Sequence, residues 1–168
     1  LKLDETPKPD HAADALALAD EDNNTTGRFM GQTYETVTVA TAPETAAEEM
    51  RALLEDGIRY VVLDARAGEV TALSDMAAEA GALVFNVRAP EVALRGEACR
   101  ANLLHIAPSV AMQADAVAQF AIWKQWKRWL LVSGSNPEDR ALAEAYRRAA
   151  RKFGATIVEE REVEGTGG

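Results

Sequence analysis

Cysteine, histidine, basic charge and long apolar runs are all scarce in this chain of 168 residues. The lone Cys99 excludes an internal disulfide and any cysteine-based zinc site. The two histidines, His11 and His105, are far apart in sequence. His105 falls in an apolar stretch, where an imidazole with satisfied partners is expected rather than a catalytic base. No run approaches the roughly 18 apolar residues of a membrane-spanning helix, which argues against direct membrane insertion. Lysine and arginine number 18 against 27 acids, a net charge of −9. Nucleic-acid binding needs a basic face and is therefore not expected. Leu1-Lys2-Leu3-Asp4-Glu5 does not read as a secretory signal, a segment that processing removes from mature chains.

Apolar residues make up 48% of the chain, enough for a core, at a length suited to one domain or two small ones. Charge is unevenly spread. Residues 1–108 hold 19 acids and 9 bases, whereas residues 109–168 hold 8 acids and 9 bases. That step suggests two units, 1–108 and 109–168.

Periodicity predicts a strict alternation. A helix is expected from Asp10 to Asp22, ended by the turn-favouring run Asn23-Asn24-Thr25-Thr26-Gly27. Tyr34 to Ala40 alternates like a strand. Thr41-Ala42-Pro43-Glu44 matches a capping box for a helix carrying Met50, Leu53 and Leu54 and stopped by Gly57. Ile58–Leu63 reads as a strand covered on both faces. Val70 to Ala80 reads as a helix closed by Gly81, and Leu83–Phe85 and Leu103–Ile106 as short strands. One helical turn is expected after Pro90. Ser109 can cap a helix running to about Lys127, with Ala114, Val117, Ala118, Ala121 and Ile122 inward. Trp129–Val132 reads as a buried strand. Asn136-Pro137-Glu138-Asp139 combines a capping side chain, a first-turn proline and two acids at the positive helix end. That helix ends at Gly154, and Thr156–Val163 is the last strand. The implied fold is α/β, with mostly parallel sheets and helices on both faces. The chain opens on a helix without a preceding strand and closes on Gly165-Thr166-Gly167-Gly168, read as a linker. It therefore reads as a fragment of a longer protein.

Catalytic motifs are missing. Asp20, Asp22, Asn24 and Thr26 have calcium-loop spacing, but Thr25 stands where an EF-hand needs glycine and Gly31 where it needs glutamate. No Walker loop occurs, and Ser109, Ser133 and Ser135 lack a nucleophile-elbow frame. Trp123, Trp126 and Trp129, with Lys124, Lys127 and Arg128, read as packing residues rather than a stacking box. Position singles out other residues. Ligands of open α/β sheets bind at the carboxyl ends of strands. Those ends carry Asp64, Arg66 and Ala67, then Asn86, Arg88 and Ala89, then Ser109, and finally Ser133, Ser135 and Asn136. Arg66 and Arg88 can each grip a carboxylate in bidentate fashion, or pair with a neighbouring acid such as Asp64, Glu69 or Glu91. No acid, base and nucleophile converge, so binding is expected and catalysis is not.

Four segments in order carry a family likeness: Ala19-Asp20-Glu21-Asp22-Asn23-Asn24, Val61-Val62-Leu63 with its loop, Ala77-Ala78-Glu79-Ala80-Gly81-Ala82-Leu83-Val84-Phe85-Asn86, and Ala107-Pro108-Ser109. Together they resemble the type I periplasmic substrate-binding proteins of ABC importers, the leucine/isoleucine/valine-binding class. Asp22 to Gln32 is similar to the branch associated with pyrroloquinoline-quinone-dependent alcohol oxidation systems. The resemblance implies a two-lobed periplasmic protein that closes by a hinge on a small-molecule ligand and delivers it to a membrane permease. It implies a crossover near Pro108, with the first strand and most of the second lobe lying outside this sequence. Its ligand loops fall on Asp64–Gly68, Asn86–Pro90 and Ser133–Asn136. Arg66 stands where amino-acid binders place serine, and Val87-Arg88 replaces a small Pro-Gly type pair. A polyanionic or aromatic acid is thus expected, with pyrroloquinoline quinone as a bound or transported ligand and no catalytic cofactor or metal. A sensory domain of the same fold and a flavodoxin-like enzyme are the alternatives. A DNA-binding or membrane segment would mark the first, and a base–nucleophile pair at the strand ends the second.

Overall fold

The computed structural model describes residues 11–164. In order, its elements are α1 (His11–Met30), α2 (Ala46–Glu55), β1 (Tyr60–Leu63), α3 (Ala67–Glu79), β2 (Leu83–Asn86), a 3-10 turn (Val92–Arg95), β3 (Leu103–His105), α4 (Val110–Trp123), β4 (Arg128–Gly134), α5 (Pro137–Phe153) and β5 (Thr156–Val163). The expected linker at 165–168 and the helix start at Asp10 lie outside the described residues. Contacts divide the chain into two compact units, one up to Ala42 and one from Pro43.

The first unit departs from the sequence reading. α1 runs through Asn23–Gly27 and stops at Gly31, whose left-handed φ of 67° ends it. Asn and Thr have only modest helix penalties, and the Asn24 and Thr25 side chains gain partners that offset them. Asn24 brackets the Tyr34 backbone: its Nδ2 donates to Tyr34 O at 2.7 Å, and its Oδ1 accepts from Tyr34 N at 2.8 Å. One turn earlier, Asp20 accepts from Thr36 N and Thr36 Oγ1 at 2.9 and 2.8 Å. Residues 34–40 form no strand, and Val37 and Val39 are exposed. Their alternating pattern has β-propensity, but a strand exists only with a partner, and none pairs with it among the described residues. The pseudo-calcium spacing thus serves a helix-to-backbone clasp, and no cluster of metal-ligating side chains occurs among the described residues.

The second unit holds two parallel sheets. β1, β2 and β3 pair in that order, with Leu63 beside Asn86 and Asn86 beside His105. β4 and β5 pair separately. Pro108 lies in the connection between the two sheets. Val61, Val84 and Leu103 point to one face, where Met50 and Leu54 of α2 and Val70, Leu73 and Ala77 of α3 cover them. The expectation of strands covered on both faces is not met among the described residues: Val62 is 49% exposed and Val132 52%. A continuous apolar run shows that a strand can be buried on both sides, but neighbours must supply the cover.

Helix ends follow local chemistry closely. Gly57, Gly81 and Gly154 stop α2, α3 and α5 as expected. α2 starts after Thr45, not Thr41. α4 ends four residues before Lys127, because Gln125 takes a left-handed φ of 63° and Trp126 N reaches back to Ala121 O at 2.9 Å. A non-glycine residue in that closing position leaves little trace in sequence. Ala114 and Ala118 of α4 pack on Ala145 and Ala149 of α5. Val117, expected inward, is exposed. Asp115 joins both helices, bonding Arg148 and Lys152 at 2.6 Å each. The Lys152 ammonium, with Arg148 beside it, holds the Asp115 carboxyl below the usual carboxylate range.

The tryptophan set separates. Trp129 packs against the α4–α5 core, while Trp123 is 70% exposed and Trp126 61%. Trp126 meets Phe120 edge-on and Trp123 meets it at a tilt, and Lys124 stacks over Trp123 at 4.3 Å. The packing reading therefore holds for Trp129 alone.

Inside the first core, Ser74 is fully buried and its hydroxyl has no hydrogen-bond partner. Ser74→Ala is expected to raise unfolding free energy by about 1 kcal/mol, since it removes an unsatisfied group and improves helix propensity. The denaturant midpoint measures this, and a fall in stability would show that the hydroxyl has a hidden partner.

Candidate ligand-binding site

Because β1, β2 and β3 are parallel, their carboxyl ends share one edge, and the turns leaving them carry the residues expected there. Asp64 and Arg66 follow β1. Arg66 is exposed and makes no ion pair among the described residues; its backbone N–H donates to Glu69 at 3.0 Å, at the start of α3. Ala67 is the first residue of that helix. Arg88 follows β2 and meets Asp64 through one contact of 3.3 Å. Both side chains remain more than half exposed, at 58% and 54%.

Asn86 ends β2 and is fully buried. Its Oδ1 accepts from Arg88 N at 3.1 Å and Ala89 N at 2.8 Å, and its Nδ2 donates to Ala89 O at 2.7 Å. It offers no side-chain atom to the surface; it folds the loop that carries Arg88, and Ala89 is buried with it. Ser109 is likewise buried, and its Oγ accepts from Met112 N at 3.2 Å as the cap of α4. Asn136 caps α5, accepting from Asp139 N at 2.8 Å. Ser133 and Ser135 sit half-buried at the end of β4, where Ser133 and Gly134 line a cleft of about 150 Å³ with Leu142 and Tyr146. A larger hollow, about 510 Å³, runs along α5 and β5. Its charges are already matched: Arg147 pairs with Glu160 and Glu144, and Arg151 with Glu144. The strand-end turns therefore present exposed arginines, Arg66 without an ion pair among the described residues and Arg88 with one long contact, whereas the arginines of that hollow are paired.

Two further residues hold this edge together: Arg95, which the sequence did not single out, and His105, whose imidazole has the satisfied partners expected of it. Arg95 donates to Ala107 O at 2.5 Å, tying the 3-10 turn to the chain entering α4. His105, at the end of β3, lies 3.0 Å from Asn86 Nδ2 through its Nδ1 and 3.2 Å from Leu94 O through its Nε2. A strand-terminal Asn before a Val-Arg-Ala-Pro turn signals the loop, but nothing local pairs it with a histidine 19 residues away.

The sequence profile of the periplasmic binding protein family matches residues 10–168. The chain belongs to that family. Solved substrate-binding proteins share its fold. An ABC transporter substrate-binding protein from Desulfitobacterium hafniense superposes with a TM-score of 0.80 at 20% identity, covering 95% of this chain and 48% of that one. The leucine-, isoleucine-, valine-, threonine- and alanine-binding protein from Brucella ovis, in a closed conformation, gives 0.73 at 19% identity, covering 97% and 45%. A solute-binding protein of an ABC transporter from R. palustris, in complex with benzoate, gives 0.62 at 14%, covering 89% and 42%. No curated protein matches. The chain thus spans about half the length of these solved proteins, and its parallel sheets and helices are a partial type I periplasmic-binding fold. No helix among the described residues is long and apolar enough to cross a membrane.

Proposed function

We propose that this chain is part of the periplasmic solute-binding component of an ABC-type importer, and that it takes a small organic anion at the carboxyl edge of β1–β3. Residues 1–108 would form the first lobe and residues 109–168 the start of the second, with Ser133–Asn136 facing the ligand from that side. Hinge closure follows when a ligand contacts both lobes, because those contacts exist only in the closed state. The partner is then a membrane permease, and the protein's task is binding rather than catalysis.

The observation that carries the anion is the pair of exposed arginines. The Arg66 guanidinium has no ion-pair partner among the described residues, and Arg88 has one long contact. Guanidinium forks suit carboxylates. Pyrroloquinoline quinone, an aromatic tricarboxylate, supplies enough negative charge for both and is the specific ligand proposed. Calorimetric titration of the full-length protein with pyrroloquinoline quinone, benzoate and leucine tests this. The tricarboxylate is expected to bind tightest. Leucine binding tighter than either acid would overturn the reading.

A further inference from the structure

The Asn86–His105 contact has only one consistent proton arrangement. Two backbone N–H groups, of Arg88 and Ala89, point at one end of the Asn86 amide, so that end is oxygen. The other end is therefore the NH2, which donates to Ala89 O and faces His105 Nδ1 at 3.0 Å. A donor facing Nδ1 requires Nδ1 to be the bare acceptor. The ring proton then sits on Nε2 and is donated to Leu94 O. Protonating Nδ1 would set N–H against N–H across that 3.0 Å gap. Relief requires the imidazole to leave or the amide to turn over. A turned amide presents its NH2 to the Arg88 and Ala89 N–H groups and undoes the loop.

Resting on the ligand reading above, we infer that His105 is a positioning residue for the ligand loop: neutral, it locks Asn86 so that residues 86–89 hold Arg88 at the binding edge, and protonated, it releases them. The charge acting on His105 is Arg95 of the 3-10 turn, and Glu91 in turn acts on Arg95. Arg88, two residues past Asn86, is paired with Asp64. Burial first, and Arg95 second, push the His105 imidazole below its ordinary value of 6.5, while the Leu94 carbonyl works the other way. The unfolded chain therefore takes its proton at a higher pH than the folded loop does. The folded arrangement is fully favoured above about 6.5 and is lost as pH falls toward the folded value.

The test needs no ligand for its first arm. Long-range nitrogen NMR of the full-length protein reads the His105 tautomer, and amide exchange of Arg88 and Ala89, corrected for intrinsic rates, reads the loop from about pH 4.5 to 8. Expected results are an Nε2–H tautomer and a loss of Ala89 protection of roughly tenfold that follows His105 protonation. His105→Gln offers an acceptor and a donor without titrating, and should keep the protection and remove its pH dependence. A proton on Nδ1, or Ala89 protection that ignores His105, overturns the inference. In the second arm, pyrroloquinoline quinone affinity of the wild type should fall with the loop, and that of His105→Gln should not. Affinity that falls equally in both proteins removes His105 from the ligand's control. If no acid binds at any pH, the anion reading fails while the first arm still decides the loop coupling.

Discussion

Arg88→Ala is expected to weaken pyrroloquinoline quinone binding by roughly 10- to 150-fold, the loss of a hydrogen bond to a charged group worth about 1.5–3 kcal/mol. The magnitude follows from how little holds Arg88 at present. Its contact with Asp64 is single, 3.3 Å long and more than half exposed on both sides, a type of pair worth about 0–1 kcal/mol. A ligand carboxylate meeting the guanidinium with two parallel bonds displaces such a partner readily. Arg88→Lys should recover only part of the affinity, since lysine offers a point charge and no planar fork. Asp64→Asn removes the competitor and should leave acid binding unchanged or improved. A neutral aromatic of similar size should feel none of these changes. Equal losses for the acid and the neutral compound in Arg88→Ala would mean that Arg88 only shapes the loop. No loss for either would remove it from the site.

Leu94→Ala is expected to cost about 2–5 kcal/mol of stability, the range for truncating a buried leucine where the surroundings cannot collapse. Leu94 is 2% exposed and belongs to the core formed by β1–β3, α2 and α3. It is the anchor that seats the Val92–Arg95 turn, and its carbonyl accepts the hydrogen bond of His105 Nε2. Leu94→Met keeps the volume and should cost less than about 1.5 kcal/mol. Denaturant unfolding compares the three proteins. A cost for Leu94→Ala as small as that of Leu94→Met would show that the turn is not seated in the core and can shift as a unit. That would also weaken the account of His105, whose Nε2 depends on a fixed Leu94 carbonyl.

The sequence by itself determined where α2, α3 and α5 stop and where α4 and α5 start, the alternation of strand and helix in residues 46–163, and the set of residues at the strand ends. Those signals are short-range. Gly57, Gly81 and Gly154 act through their own backbone freedom, and Asn136 and Ser109 cap through an N–H three residues on. Tertiary structure alone decided the rest, because it depends on partners far away in the chain. Residues 34–40 had the pattern of a strand, yet pairing needs a neighbour, and the backbone hydrogen bonds described for that stretch go to the side chains of Asp20 and Asn24 on α1. Trp123 and Trp126 had the chemistry of core residues, but burial requires a surface to meet, and among the described residues they lie open. Asp64, Glu69 and Glu91 were all open as partners for Arg88; the parallel register of β1 and β2 selected Asp64, 24 residues away. Asn86 read as a ligand residue because it stands at a strand end. Burial beside β3 turned its amide inward onto His105, since a buried amide must satisfy both of its ends within the protein.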